Sequence, residues 1–182
     1  MEKKKTRILV LIDVQKDFID GALSNPDAQA AVPAIVRKVE AFDGDLVLAT
    51  RDTHGPDYLS TREGLQLPVA HCIAGTPGHA LDSRVQAALD RLRPGVQLKV
   101  VDKPTFGSLD LVAQLQAIPG ELDVEICGFC TDICVVSNAL LLKAALYDRA
   151  DFCVDAACCA GVTPEKHAAA LETMRSCQIA VR

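Results

Sequence analysis

The sequence predicts an α/β protein with three layers, α/β/α, around a mostly parallel six-stranded sheet. Two observations carry that expectation. Short apolar runs alternate with segments of helical period along the chain. The connections between them are short, apart from one polar stretch over 51–78 rich in Gly, Pro and His, so successive strands can be joined by crossover helices.

Taken in order, 7–13 reads as the first strand, 28–42 as a helix and 45–50 as the second strand. After the polar stretch, 83–92 is helical and 96–101 is the third strand. Residues 108–118 form a helix that Ser108 can cap, because its hydroxyl accepts from the open N–H groups of the first turn. The run 123–127 is a buried strand, Gly128 turns the chain, and 131–147 continues as a helix with an almost unbroken apolar face. The fifth strand is 150–155. Helix 163–176 starts with Thr163 as cap and Pro164 at its first position, and a sixth strand follows at 177–181.

At 182 residues, 49% of them hydrophobic, the chain reads as one domain, 1–182, able to build a core without staples. Most of its eight cysteines are therefore expected as free thiols, with Cys127, Cys153 and Cys177 as packing groups beside apolar runs. A net charge of −5 argues against a nucleic-acid or anionic-membrane surface, since both need a basic patch. The apolar run 8–12 after the basic start is too short for a secretory signal, and no stretch approaches the roughly 18 apolar residues of a membrane span. These features predict a cytoplasmic protein with a small-molecule partner, no nucleic acid and no membrane, and leave self-association open.

Ligands of such sheets collect beyond the carboxyl ends of the strands. Those ends carry Asp13 after the first strand, Asp52 and His54 after the second, Lys103 after the third and Cys134 after the fourth. Cys134 falls on the first turn of a helix, where the positive end of the macrodipole is expected to lower a thiol pKa that starts at about 8.5. A carboxylate, an ammonium and a thiol on one rim are the parts of a cysteine hydrolase.

Asp13-Val-Gln-Lys-Asp-Phe18, Lys103 after the third strand, and Gly128-Phe-Cys-Thr-Asp-Ile-Cys134 together resemble the isochorismatase-like cysteine hydrolases, and among them the nicotinamidases. The resemblance spans nearly the whole chain. It implies a triad of Asp13, Lys103 and Cys134, a cis peptide bond between Phe129 and Cys130, and an oxyanion hole made by the backbone N–H groups of Cys130 and Cys134. Asp52-Thr-His54 with His71 resembles the nicotinamidase metal site. Asp and His ligands suit one divalent transition metal ion, Zn, Fe or Mn. Glu63 is the best-placed further ligand, with Asp57 behind it. Nicotinamidases carry a ring-stacking aromatic residue three positions before the last metal histidine; here that position is Pro68. Ring contacts then fall to Phe18 and Phe106, with Phe129 beside the nucleophile.

The resemblance thus implies hydrolysis of a small carboxamide, nicotinamide foremost, through a thioester on Cys134. Two other readings stand beside it. A metal-free amidase of the same family, acting on carbamoyl or ureido groups, would not need Asp52, His54 and His71. A thiol redox or non-catalytic binding protein would use Cys130 and Cys134 as a pair.

Overall fold

A computed structural model describes residues 5–182, and the basic start at 1–4 lies outside them. Its strands are β1 (Thr6–Ile12), β2 (Leu46–Asp52), β3 (Gln97–Lys103), β4 (Leu122–Phe129), β5 (Ala150–Ala160) and β6 (Ala180–Val181). Its helices are α1 (Lys16–Ile19), α2 (Pro26–Ala41), α3 (Arg62–Gln66), α4 (Ser83–Leu89), α5 (Leu109–Gln116), α6 (Val136–Leu146) and α7 (Pro164–Ser176). The strands form one sheet in the order β3-β2-β1-β4-β5-β6, and every neighbouring pair is parallel. This is the expected α/β class, with parallel pairing throughout. No helix among the described residues is long and apolar enough to cross a membrane.

The run from Ile8 to Ile12 is buried at every position, as a central parallel strand must be when helices cover both its faces. Helix α2 packs against α4, while α6 touches both α5 and α7. Caps set several helix starts. Asn25 accepts from the N–H groups of Asp27 and Ala28, with Pro26 at the first helical position, so α2 begins two residues before the sequence pattern suggested. Ser108 and Thr163 cap α5 and α7 as expected.

Several elements differ from the sequence reading. The stretch 51–78 is not without structure: it contains α3 and a short 3₁₀ turn at Tyr58–Ser60, while Pro77–His79 forms another that runs one residue past it. The segment after β4 opens with a five-residue π turn, Thr131–Val135, before α6 begins. Strand β5 runs on to Ala160 through a register shift opposite Ile126 and Gly128, and β6 shrinks to two residues because α7 continues to Ser176. Cys177, expected beside a strand, caps the end of α7 and is exposed.

Candidate active site

Register brings the chemistry together. Asp52 and Lys103 are direct partners across β2 and β3, and Ile12 pairs with Gly128 across β1 and β4. A Cβ on Gly128 would lie 2.0 Å from the Ile12 carbonyl oxygen, and its φ of 127° is one that side chains rarely adopt. Glycine at this position lets the ends of β1 and β4 close on each other. Asp13 and Cys134 leave from those two ends.

Asp13, just past β1, sits at φ 49° with its N–H on the Thr50 carbonyl at 3.2 Å. The Thr50 hydroxyl donates to Asp13 Oδ1 at 2.6 Å and so aims the other oxygen. Asp13 Oδ2 lies 2.6 Å from Lys103 Nζ, an ion-pair contact that is not aligned as a hydrogen bond, and no hydrogen-bond donor among the described residues serves that oxygen. Lys103 Nζ also reaches the Thr105 carbonyl at 3.1 Å, Asp52 Oδ1 at 3.4 Å and Cys134 Sγ at 3.6 Å. All three side chains are buried. The π turn follows the cis peptide bond between Phe129 and Cys130, and both Ile133 and Val135 donate their N–H to the Cys130 carbonyl. Asn138 donates to the carbonyl of Cys134 at 2.8 Å.

The electrostatics correct one expectation. Burial, and then the Asp13 charge, push the Cys134 thiol well above its ordinary pKa, with Lys103 opposing. The helix-start position does not decide the direction, because desolvation of a thiolate this deep outweighs a terminal dipole. Burial likewise raises the Asp13 pKa against the pull of Lys103. On Lys103 burial favours the neutral amine, but the charges of Asp13, Cys134 and Asp52 more than offset it and keep the ammonium. On both the Cys134 thiol and the Asp13 carboxyl, burial works against the charged form and Lys103 works for it.

Beside this trio, one ligand atom each of Asp52, His54 and His71 lie within 4.8 Å of one another. A parallel bridge between His54 and Ile73 folds the polar stretch back so that the two histidines meet. Asp17 fixes the returning chain by accepting the Cys72 N–H at 2.8 Å. His71 Nδ1 is 2.8 Å from the Val69 carbonyl, which can only accept, so Nδ1 carries the proton and Nε2 is free to ligate. Asp52 is held well below the ordinary carboxylate range: burial pushes it up, but His54, His71 and Lys103 outweigh that. An ionised carboxylate with two imidazoles is a donor set that fits a divalent transition metal. Glu63 Oε1 stands 3.7 Å from His54 Nε2 and 4.0 Å from His71 Nε2, just outside that trio, whereas Asp57 is exposed at the start of the 3₁₀ turn Tyr58–Ser60.

Cys134 from the first group and Asp52 and His71 from the second open into one cavity of about 740 Å³, walled also by Phe18, Glu63, Leu67 and Phe106 among others. Phe18 and Phe106 stand where ring contacts were expected. Phe129 does not: as the last residue of β4 it is wholly buried and its side chain does not reach the cavity. Pro68 is exposed and off the wall, and the neighbouring Leu67 lines it instead.

The isochorismatase domain model matches residues 7–182. The chain belongs to the isochorismatase family. Among this family member's relatives, the nicotinamidase of Schizosaccharomyces pombe is 30% identical over 164 aligned positions, covering 72% of this chain and 74% of its own. The nicotinamidase/pyrazinamidase of Mycobacterium tuberculosis is 30% identical over 187 aligned positions, covering 95% and 96%. In structure, the pyrazinamidase of Pyrococcus horikoshii, solved in complex with zinc, superposes with a TM-score of 0.79 at 26% identity over 97% of this chain and 98% of its own.

Two contributors were not found by sequence reasoning in this isochorismatase-family chain. Tyr58 is buried with its ring 4.6 Å from that of His54 and 4.9 Å from that of His71, and burial pushes its hydroxyl up to about 12. Its one signal was an aromatic residue inside a polar stretch. Gln15 is wholly buried: its amide donates to the carbonyls of Asp52 and His79 and its oxygen accepts the Asp52 N–H at 2.7 Å, which fixes the end of β2. A buried amide of this kind is signalled by an uncharged polar residue in the motif that follows β1.

Proposed function

We propose that this chain, as one isochorismatase-like domain over 1–182, hydrolyses a small carboxamide through a thioester on Cys134, with nicotinamide as the foremost substrate. One observation carries the reading: a buried lysine ammonium 2.6 Å from Asp13 and 3.6 Å from the thiol of Cys134, which lines one cavity with Asp52 and His71.

Asp13 takes the proton from Cys134 Sγ as the sulfur attacks the carboxamide carbon, and Lys103 stabilises the thiolate that forms. The backbone N–H groups of Cys130 and Cys134 hold the oxyanion, a type of contact often worth about 10² to 10³ in rate each. Protonated Asp13 then gives its proton to the leaving ammonia. In the second half, Asp13 takes a proton from the water that attacks the thioester carbon, the C–S bond breaks to release the carboxylic acid, and Asp13 returns the proton to the departing Cys134 sulfur. Asp52, His54 and His71, with Glu63 adjacent, would hold a divalent ion. Such an ion supplies a Lewis-acid contact that orients the substrate ring, outside the proton transfers described here. Phe18 and Phe106 contact the ring.

A panel of carboxamides including nicotinamide and pyrazinamide, read by ammonia release, tests the reading. Nicotinamide is expected to react, and Cys134→Ala to abolish turnover with the unfolding midpoint unchanged. Near wild-type ammonia release from Cys134→Ala would refute the mechanism. Release from other carboxamides but not nicotinamide, with metal restored, would reduce the assignment to an amidase.

A further inference from the structure

We infer that His167, on the second turn of α7, is a positioning residue for Cys134, acting through Thr131. The inference rests on the reading of Cys134 as the nucleophile.

Thr131 is the first residue of the π turn and is wholly buried. Its hydroxyl lies 2.8 Å from His167 Nδ1, the one side-chain hydrogen bond it makes among the described residues. The next residue is held from the same side, since Asp132 Oδ1 accepts the Val162 N–H at 2.9 Å. Gly161 permits this approach: a Cβ there would lie 2.8 Å from the His167 nitrogen and 2.9 Å from Asp132 Oδ1. Asn25 donates to the Gly161 carbonyl at 2.8 Å and ties the same clamp to the start of α2.

The first N–H groups of a helical segment have no partner inside it, so an opening turn is set by what grips it from outside. Here the grip falls on Thr131 and Asp132, three and two residues before Cys134. A shift of Thr131 therefore moves the thiol and the Cys134 N–H together, away from Lys103 and Asp13. The segment 161–167 also presents Val162 and Lys166 to the cavity, so one piece of chain walls the substrate site and holds the nucleophile turn. Burial keeps His167 below its ordinary pKa against the charges of Asp132 and Asp27, which leaves the ring neutral near pH 7 with one nitrogen as donor and one as acceptor.

The test uses two readouts. One is steady-state turnover of nicotinamide. The other is the rate of Cys134 alkylation by iodoacetamide, followed at that residue by mass spectrometry, which needs no assumption about the substrate. His167→Ala should lower kcat by about ten- to a hundred-fold, the scale of an ångström-sized misplacement, with KM changed much less and alkylation altered in step. His167→Asn, whose amide can meet the Thr131 hydroxyl, should recover most of the loss. Thr131→Val should reproduce the defect, and the double variant should be no worse than Thr131→Val alone. Wild-type kcat and alkylation in folded His167→Ala overturn the inference, as do additive losses in the double variant or an equal loss in His167→Asn. Failure of the underlying reading would show separately, as retained ammonia release by Cys134→Ala.

Discussion

Lys103 shows how much one buried side chain can hold. Its ammonium faces the carboxylates of Asp13 and Asp52 and the Cys134 sulfur, and it is almost wholly withdrawn from water. Removing one partner of a buried ion pair leaves the other charge uncompensated, which typically costs about 3–5 kcal/mol. Lys103→Met is expected to destabilise the fold on that scale, read from urea unfolding, as well as to lose turnover. The wall residue lies one position before Pro68. Leu67, not Pro68, lines the cavity, so Leu67→Trp is the change that adds an aromatic face. Stacking of this kind is worth about 0.5–1.5 kcal/mol, or roughly two- to twelve-fold in binding. It acts alike on the ground and transition states, so KM for nicotinamide should fall while kcat changes less, as steady-state kinetics would show. These residues differ in how legible they were. Asp13, Lys103 and Cys134 announced themselves by type and by place at strand ends. Which of two adjacent residues faces inward depends on backbone turns in a segment with no regular period.

At the scale of elements, the parallel pairing aligns four strand ends, and a polar knot on the sheet keeps the neighbouring elements in place. Lys38 of α2 pairs with Asp155 of β5 at 2.6 Å and with Glu125 of β4, which also binds Arg182. Burial pushes the Asp155 carboxyl up, but the Lys38 hydrogen bond and charge outweigh it and hold the pKa below its ordinary value. A carboxylate with a depressed folded pKa contributes stability above its unfolded pKa of about 3.9, and that contribution is lost as pH falls through the folded value. Asp155→Asn should therefore be less stable than the parent at pH 7, and the two should converge as pH falls through the folded value. Urea midpoints across that range measure it. The strands and long helices of this frame were readable because their period and caps are local. The π turn was not, since its Cys130 carbonyl accepts from Val135 only where the surrounding chain grips Thr131 and Asp132.

For the whole molecule, metal and fold are linked through the same corner of the sheet. Asp52 serves both the histidine pair and Lys103, so an ion held there would act on the folded state alone and stabilise it by mass action. Elemental analysis is expected to find about one transition-metal ion per chain, lost in the double variant His54→Ala with His71→Ala. Chelation should lower the melting temperature of the parent and leave that of the double variant unchanged. A fully active, metal-free parent would point to the carbamoyl amidase reading instead. The sequence by itself determined the α/β class, most strand and helix positions, and the residue types at the strand ends, because apolar period, caps and motif spacing are properties of neighbouring residues. Only the tertiary structure decided that His54 and His71 meet with Tyr58 against both rings, that Phe129 turns into the core, and that the Cys134 thiol is pushed up rather than down. Each of these is set by groups far apart in the chain: burial sums contacts from every layer, and a charge is felt according to distance in space rather than along the sequence.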